Sequence, residues 1–257
     1  MARCKIVHAK SAEELESHFR VRWQVFGREE NYLRYENHSG LEVDEYDTRP
    51  TVLHFNVVVT DDGESSSDTV VGAGRLILPD RELAAANGWR YGLPLERKIS
   101  FATPTGILPD EICEMGRMCI LRAWRGRHRF LLELLIEMCQ ESLRRGIQYW
   151  FAVATGNTVS PTEAVRVMRT LEARGLTRGD VPLQLREPID SHDEAVRGIE
   201  LEVDPDSSDL PPVIKLDADL GSRYFGQPIF ETLLRCYAYP LIAPVRDVIK
   251  NAQSMLA

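Results

Sequence analysis

The segment from residue 111 to residue 154 restricts the possible folds of this chain more than any other part of it. Apolar residues in 130–143 recur at i, i+1, i+4 and i+5, which predicts an amphipathic helix that ends before Gly146. An apolar run at 111–121 precedes this helix, and a second apolar run at 149–154 follows it. Short apolar runs of this kind are typical of buried strands. The order strand, helix, strand predicts an α/β fold around a central sheet.

Caps and apolar runs predict the earlier elements. Ser11 and Glu14 have capping-box spacing, and the apolar spacing after them predicts a helix through Phe26. A short second helix is expected over 29–35. β-Branched runs at 53–60 and 69–78 flank a polar loop, which predicts an antiparallel hairpin.

Similar patterns predict the later elements. Ser160 and Pro161 open a helix that Gly175 should stop. The remaining predicted elements are strands at 198–203 and 230–239 and a final helix over 244–252.

Composition narrows the classes of function. The chain has 257 residues, of which 44% are hydrophobic, so it can bury a sizeable core. Its net charge of -8 disfavours nucleic acid as a partner, and its apolar runs are too short to span a membrane. Its five scattered cysteines and the charged N-terminal stretch favour reduced thiols, a cytoplasmic location and no metal site.

Charged residues in four separated patterns are the candidates for function. Glu42, Asp44 and Asp47 gather before the hairpin, and an acidic loop by itself is ordinarily solvated surface. The other three patterns are R-x-x-V-F from Arg22, an arginine on the second hairpin strand, Arg75, and E-x-x-R from Glu114 to Arg117.

Taken in this order, the patterns resemble the acyl-homoserine lactone (autoinducer) synthases. The segments 40–47, 54–55, 94–96, 212–215, 220–221 and 226–228 also resemble the long-chain N-acyl amino acid synthases of the same superfamily. The resemblance extends in patches from about residue 20 to residue 230. It implies a GNAT-like (acyl-CoA N-acyltransferase) fold, an α-β-α sandwich around a mixed, mostly antiparallel central sheet. A single domain is expected over 1–257, with a C-terminal extension from about 205.

The resemblance also implies an activity, N-acylation. A fatty acyl chain would pass from acyl carrier protein, or from coenzyme A, to the amine of an amino acid or a related acceptor, with no permanently bound cofactor. One alternative is acyl-homoserine lactone synthesis for quorum sensing, in which S-adenosylmethionine is the acceptor. A second alternative is a non-catalytic module that binds an acyl ligand or a carrier protein.

The predicted catalytic residues are Glu114, Arg117 and Glu42. A carboxylate on a buried strand should have a raised pKa, so Glu114 is expected to take the proton of the amine. Arg117 would anchor a carboxylate or hold Glu114, although a structural ion pair is nearly as good an interpretation. By resemblance, the acceptor-binding residues are Arg22, Phe26, Tyr32, Asp44, Asp47 and Arg75, which could equally form a purely structural network.

The loop before the helix of 130–143 is the predicted donor site, because helix N-termini bind phosphate. Its residues are Met118, Cys119, Ile120, Arg125, Gly126, Arg127 and His128. The arginines suit an acidic carrier protein, and the alternative is that such arginines pair with Glu133 or Glu137. Cys119 is expected to be a small buried residue rather than a nucleophile.

Overall fold

The computed structural model describes residues 3–33, 38–60, 68–101, 106–126, 128–181, 183–204 and 209–257. The strands, numbered in chain order, are β1 Arg3–Ala9, β2 Val52–Thr60, β3 Asp68–Ile77, β4 Ile99–Phe101, β5 Ile112–Ile120, β6 Tyr149–Thr155, β7 Leu183–Leu185, β8 Arg223–Tyr224, β9 Ile229–Glu231 and β10 Cys236–Pro244. The α-helices are α1 Ala12–Arg22, α2 Arg81–Asn87, α3 His128–Arg144, α4 Pro161–Ala173, α5 Ser191–Glu194, α6 Pro212–Asp219 and α7 Val245–Leu256.

The chain divides into two compact units. The first contains Met1–Leu78, Met115–Arg145 and Ala252–Ala257, and the second contains Pro79–Glu114 and Gly146–Asn251. Strand β5 therefore contributes residues to both units. A single domain over 1–257 with an extension from about 205 stays a prediction.

The first unit has helices on both faces of its sheet. Its strand order is β1, β2, β3, β5, and both the β1–β2 and the β2–β3 pairs are antiparallel. Ala73 of β3 packs in a cluster with Val21 and Val25 from the α1 side. The next residue, Gly74, lies so close to α3 that a Cβ there would be 2.8 Å from Met138 Sδ. Since neighbouring strand residues point to opposite faces, α1 and α3 cover the two sides of one sheet.

The second unit is built around β6 and β10, which pair antiparallel. Strands β8 and β9 also pair antiparallel with β10, whereas the start of β5 pairs parallel with β6 over residues 112–114. Strands β4 and β7 form a separate antiparallel pair. The core includes Phe101, Phe151 and Phe225, with ring centroids 5.4 Å apart for Phe101–Phe151 and 5.8 Å apart for Phe151–Phe225.

Local signals placed several elements correctly. Glu14 N donates to Ser11 Oγ at 3.2 Å and Ser11 N donates to Glu14 Oε2 at 2.9 Å, which confirms the capping box. The hairpin of β2 and β3 is antiparallel as predicted. Gly146 has a φ of +82° and ends α3, because a left-handed residue after a helix costs least at glycine.

Other predictions were wrong. The segment 198–203 forms no strand, and Ile199 and Leu201 instead pack their apolar side chains on a cluster around Val165 and Phe230. The predicted strand 230–239 is split into β9 and β10. Strand β1 was not predicted.

The region after α1 also differs from its prediction. The helix changes there into a π-helix, Trp23–Glu29, with Glu30 N donating to Val25 O at 2.9 Å. No helix follows in 30–33, and residues 34 and 35 lie outside the described part of the chain.

The described residues contain neither a membrane-spanning helix nor a cluster of metal ligands. None of their helices has the length and apolar character needed to cross a bilayer. Among the same residues, no three His, Cys, Asp or Glu side chains are grouped so that they could hold a metal ion.

Candidate functional site

Charged side chains of the first unit form one connected ion-pair network. Its members are Arg22, Glu42, Asp44, Asp47, Arg75 and Arg117. They come from the end of α1, the segment before β2, and strands β3 and β5. Every member was predicted from the sequence, either as an acceptor-binding or as a catalytic residue.

Arg22 is the buried centre of the network. Its guanidinium donates to both carboxylate oxygens of Asp47, with Nη1–Oδ1 at 2.8 Å and Nη2–Oδ2 at 3.0 Å. Its Nε also donates to Glu42 Oε2. The side chains of Arg22 and Asp47 are fully buried and that of Glu42 is 2% exposed. This bidentate contact is possible because the N–H groups of the planar guanidinium have a fixed geometry that matches a carboxylate.

Arg75 of β3 joins the two aspartates. Its Nη1 lies 2.7 Å from Oδ1 of Asp44, 2.7 Å from Oδ2 of Asp44 and 2.7 Å from Oδ1 of Asp47. The loop is held by its own backbone as well, because Asp44 N donates to Asp47 Oδ2 at 2.8 Å. Glu42 N donates to Phe19 O of α1 at 3.1 Å, which ties the acidic segment to that helix.

Arg117 and Asp44 form the accessible edge of the network. Arg117 Nε donates to Glu42 Oε1 at 3.2 Å and its Nη2 donates to Asp44 Oδ2 at 3.2 Å. Both Arg117 and Asp44 have side chains that are 19% exposed. The backbone of Arg117 has a φ of +53°, which costs on the order of 1–3 kcal/mol for a non-glycine residue and is often found at functional sites.

The charges of the network balance, since three carboxylates face three guanidinium groups. Burial acts to raise the pKa of Asp47, but Arg22 and Arg75 outweigh it and hold that pKa well below its usual range. Burial likewise acts to lower the pKa of Arg75, and Asp47 and Asp44 outweigh it and raise that pKa. Asp47 and Arg75 therefore stay ionised at neutral pH.

Glu114 belongs to the second unit. Its Oε2 accepts a hydrogen bond from Leu95 N at 2.8 Å, at the start of the 3₁₀ turn Pro94–Arg97. This contact gives Glu114 a structural role in its own unit. Its role as the residue that takes the proton of the amine stays a prediction.

Two aromatic residues were predicted to bind the acceptor. Phe26 packs on the cluster of Val21, Val25, Ala73 and Cys119 and so forms part of the core of the first unit. Tyr32 is half-buried, and its backbone N donates to Phe26 O at 2.9 Å.

Arg125 is already engaged within the predicted donor segment. Its Nη2 donates to Glu29 Oε2 at 2.8 Å, its Nη1 pairs with Glu30, and its Nε donates to Ile120 O at 2.8 Å. Glu29 also accepts from Arg122 N at 2.9 Å. The two glutamates were not predicted, because a pairing across more than 90 positions leaves no signal in the spacing of a sequence.

The other donor residues surround Arg125 in the sequence. Met118 is half-buried and Ile120 is buried at the end of β5. Cys119 is buried too, and burial raises the pKa of its thiol to about 12, so it is a poor nucleophile. Gly126 is followed by Arg127, which lies outside the described residues, and α3 begins at His128.

The arginines of α3 pair along the helix. Arg129 Nε lies 2.5 Å from Glu133 Oε1, and Arg144 Nη2 lies 3.0 Å from Glu137 Oε1. These are the pairings that the alternative interpretation of the arginine cluster predicted. They reduce the positive charge that this surface offers to an acidic partner.

Comparison with known proteins places the fold. Residues 21–135 match the family described as "Acetyltransferase (GNAT) domain", a span that contains the whole ion-pair network. No match was found among curated proteins. The description of the family supports the prediction that the chain is an acyltransferase.

The fold is similar to that of solved structures over nearly the whole chain. The structure of "a CoA-dependent acyl-homoserine lactone synthase, BjaI, with MTA" has a TM-score of 0.51 at 16% identity, covering 100% of this chain and 90% of that one. The same synthase "with SAM and isopentyl-CoA" has a TM-score of 0.50 at 16% identity, with the same coverage. FeeM, "an N-acyl amino acid synthase from uncultured soil microbes", has a TM-score of 0.47 at 11% identity, covering 96% and 94%. The predicted fold class, α/β and GNAT-like with a mixed, mostly antiparallel sheet, is confirmed.

Proposed function

We propose that this chain transfers a fatty acyl group from a thioester to the amine of an amino acid or an amino-acid-derived acceptor. The observation that carries the proposal is the accessible edge of the ion-pair network, where Asp44 and Arg117 lie side by side and partly exposed. Behind them, buried Arg75 pairs with Asp44 and buried Glu42 pairs with Arg117, so both groups are held in place. Opposite charges in a rigid arrangement fit an acceptor that carries an ammonium and a carboxylate together.

The reaction requires few groups from the protein. The amine nitrogen attacks the thioester carbonyl, the C–S bond breaks, and the thiol leaves with the proton that the amine gives up, directly or through a base. No covalent intermediate on the protein is needed. The task of Asp44 is to bind and orient the amine, and Glu114 is the proposed base.

The donor is proposed to be an acyl thioester of either carrier protein or coenzyme A. A carrier protein would be attracted by a surplus of positive charge, and Arg125 and Arg129 are both paired with glutamates. The phosphate of either donor would still suit the N-terminal turn of α3, a helix of 17 residues. Both acyl carrier protein and coenzyme A thioesters are therefore included as donors in the test.

A second candidate function is acyl-homoserine lactone synthesis with S-adenosylmethionine. The observation in its favour is that the network contains the charged residues of the R-x-x-V-F and E-x-D-x-x-D patterns together with the arginine of the E-x-x-R pattern. The argument against it is chemical. Ring closure needs the carboxylate of the acceptor as a free nucleophile, and a carboxylate held by Arg117 is less reactive.

The test uses the 257-residue chain with long-chain acyl-coenzyme A and acyl carrier protein thioesters, each combined with a panel of amino acids and with S-adenosylmethionine. We expect equal amounts of free thiol and of a product whose mass is that of an N-acyl amino acid. Release of methylthioadenosine with a lactone product would replace the first function by the second. Thiol release that does not depend on any amine, or that is unchanged in Asp44→Asn, would contradict both.

A further inference from the structure

Two buried histidines connect the ion-pair network to Asn56 of β2. His18 of α1 is fully buried and His54 of β2 is 4% exposed. Nδ1 of His18 lies 2.9 Å from Asn56 Oδ1, and Nε2 of His18 lies 3.3 Å from Nδ1 of His54. Nε2 of His54 lies 3.1 Å from the carbonyl oxygen of Asp47. All of these residues belong to the first unit.

Three contacts, Asn56–His18, His18–His54 and His54–Asp47, each need one hydrogen between their two atoms. Asn56 Nδ2 donates to Glu14 O at 2.9 Å, which fixes the amide so that its Oδ1 faces His18 as an acceptor. The carbonyl of Asp47 can only accept as well. Both outer contacts therefore need a hydrogen on the imidazole, and the contact between the two rings needs a third.

Two neutral imidazoles supply only two hydrogens. If both outer contacts are made, the lone pairs of His18 Nε2 and His54 Nδ1 face each other at 3.3 Å. If the inner contact is made instead, one outer contact loses its hydrogen. A single additional proton on the pair completes all three contacts.

We propose that His18 and His54 take up one additional proton as the pH falls and share it across their contact, and that this proton makes His54 a positioning residue for Asp47. Asp47 holds Asp44 through the hydrogen bond from Asp44 N, and it pairs with both Arg22 and Arg75. A stronger hydrogen bond from His54 to the carbonyl of Asp47 therefore also restrains Asp44, which lies at the accessible edge of the network. The effect on acceptor binding rests on the proposed function, whereas the shared proton does not.

The groups that face the two rings decide when the proton binds. Burial lowers the pKa of His54, the contact with Asp47 raises it, and Arg22 and Arg75 lower it further. Burial, Arg22 and His54 lower the pKa of His18, while Asn56 and Asp47 raise it. The pair is accordingly neutral at neutral pH and takes up its proton as the pH falls below the ordinary histidine range, about 6.5.

A cavity of about 350 Å³ gives His54 a route to solvent. The charged and titratable groups that line it, besides Asp47 and His54, are His8, Lys10 and Arg49. Burial lowers the pKa of His8, and Lys10 lowers it further. His8 is therefore neutral at neutral pH, and the positive charges of the cavity wall are those of Lys10 and Arg49, which disfavour protonation of the pair.

The shared proton can be tested without any substrate. The 257-residue chain is labelled with ¹⁵N-histidine and ¹³C′-aspartate. The ring nitrogens of His18 and His54 and the carbonyl carbon of Asp47 are then followed by NMR as the pH is lowered. We expect all three to change with one common midpoint, below about 6.5. Separate midpoints, rings that stay neutral throughout the folded range, or an Asp47 signal that does not move with them would overturn the proposal.

The positioning role is tested with His54→Gln. The glutamine amide can still donate to the carbonyl of Asp47 but cannot titrate. Any effect of pH on the acceptor amine is therefore the same in the variant and in the unmodified chain, and only a difference between them reports on His54. As the pH falls through the midpoint, we expect the acceptor KM of the unmodified chain to fall about two- to tenfold relative to the variant, the effect of one ordinary hydrogen bond. Parallel KM profiles would overturn the positioning role, and the absence of any acylated product would remove the proposed function while the NMR titration still decides the shared proton.

Discussion

Arg22 and Asp47 are joined by two parallel hydrogen bonds of 2.8 and 3.0 Å, and both side chains are fully buried. The pair connects the end of α1 to the segment before β2. Since neither charge is in contact with solvent, each depends on the other for its stability. The contact therefore stabilises the fold and also holds the residues of the candidate site in position.

Removing the guanidinium of Arg22 should destabilise the fold strongly. Arg22→Met leaves Asp47 and Glu42 with fewer partners, so we expect the free energy of unfolding to fall by about 3–5 kcal/mol. The matched control is Arg20→Met on the same helix, whose guanidinium forms an exposed pair with Glu16. There we expect a change of about 1 kcal/mol or less in urea unfolding. Equal losses of unfolding free energy in the two variants would contradict a stabilising role for the buried ion pairs of Arg22.

Acid should weaken the fold through Asp47. Its pKa is held well below the usual value, so the stability it contributes is fully present above about pH 5 and is lost as the pH falls from about 4 towards its folded pKa. The difference in unfolding free energy between the unmodified chain and Asp47→Asn should therefore be constant from about pH 5 to 7 and shrink below about pH 4. Urea unfolding at a series of pH values measures it. A constant difference down to pH 3 would show that the charge of Asp47 is not the cause.

Asp44 should matter for the acceptor and not for the donor. Asp44→Asn removes the charge at the accessible edge, and we expect kcat/KM for the amine to fall about 10- to 100-fold, the loss of one charge-assisted hydrogen bond. The KM of the thioester should stay the same. Glu45→Gln, on the exposed side of the same segment, is the control. Acceptor binding would lie elsewhere if Glu45→Gln had the larger effect.

Glu114→Gln separates catalysis from structure. The glutamine carbonyl can still accept the hydrogen bond from Leu95 N, which is 2.8 Å long with glutamate, but it cannot take a proton. We expect kcat to fall about 10²- to 10⁴-fold with little change in the melting temperature. Glu111→Gln, whose side chain accepts from Leu108 N, is the matched control. A full rate in Glu114→Gln would leave this residue only its structural contact.

Gly72 should tolerate no side chain. A Cβ there would lie 2.4 Å from Ile120 Cδ1 and 2.9 Å from the carbonyl oxygen of Cys119, and a backbone atom cannot rotate away. We expect Gly72→Ala to lower the free energy of unfolding by about 1–3 kcal/mol. Gly179→Ala is the control, because no heavy atom of the described residues lies within 4 Å of its added Cβ. Chemical denaturation that gave the same small change for both would contradict the close packing of β3 on β5.

Elements that are set by local chemistry could be predicted from the sequence. The capping box of Ser11 and Glu14 and the stop at Gly146 involve only neighbouring residues, so the sequence contained both. The strand predicted at 198–203 failed because apolar spacing reports burial and not pairing. Ile199 and Leu201 are partly buried on a side-chain cluster without joining a sheet.

The members of the candidate site were determined by the sequence, and their arrangement by the tertiary structure. Seven charged residues in the four sequence patterns pointed to one site. Six of them meet in the network, whereas Glu114 accepts a hydrogen bond from Leu95 N in the second unit. Only the fold decided which of them are buried, that Asp44 and Arg117 form the accessible edge, and that Arg125 is held by Glu29 and Glu30. It also placed His18 beside His54. The physical reason is that desolvation and hydrogen-bond partners depend on distances in space between residues that are far apart in the chain.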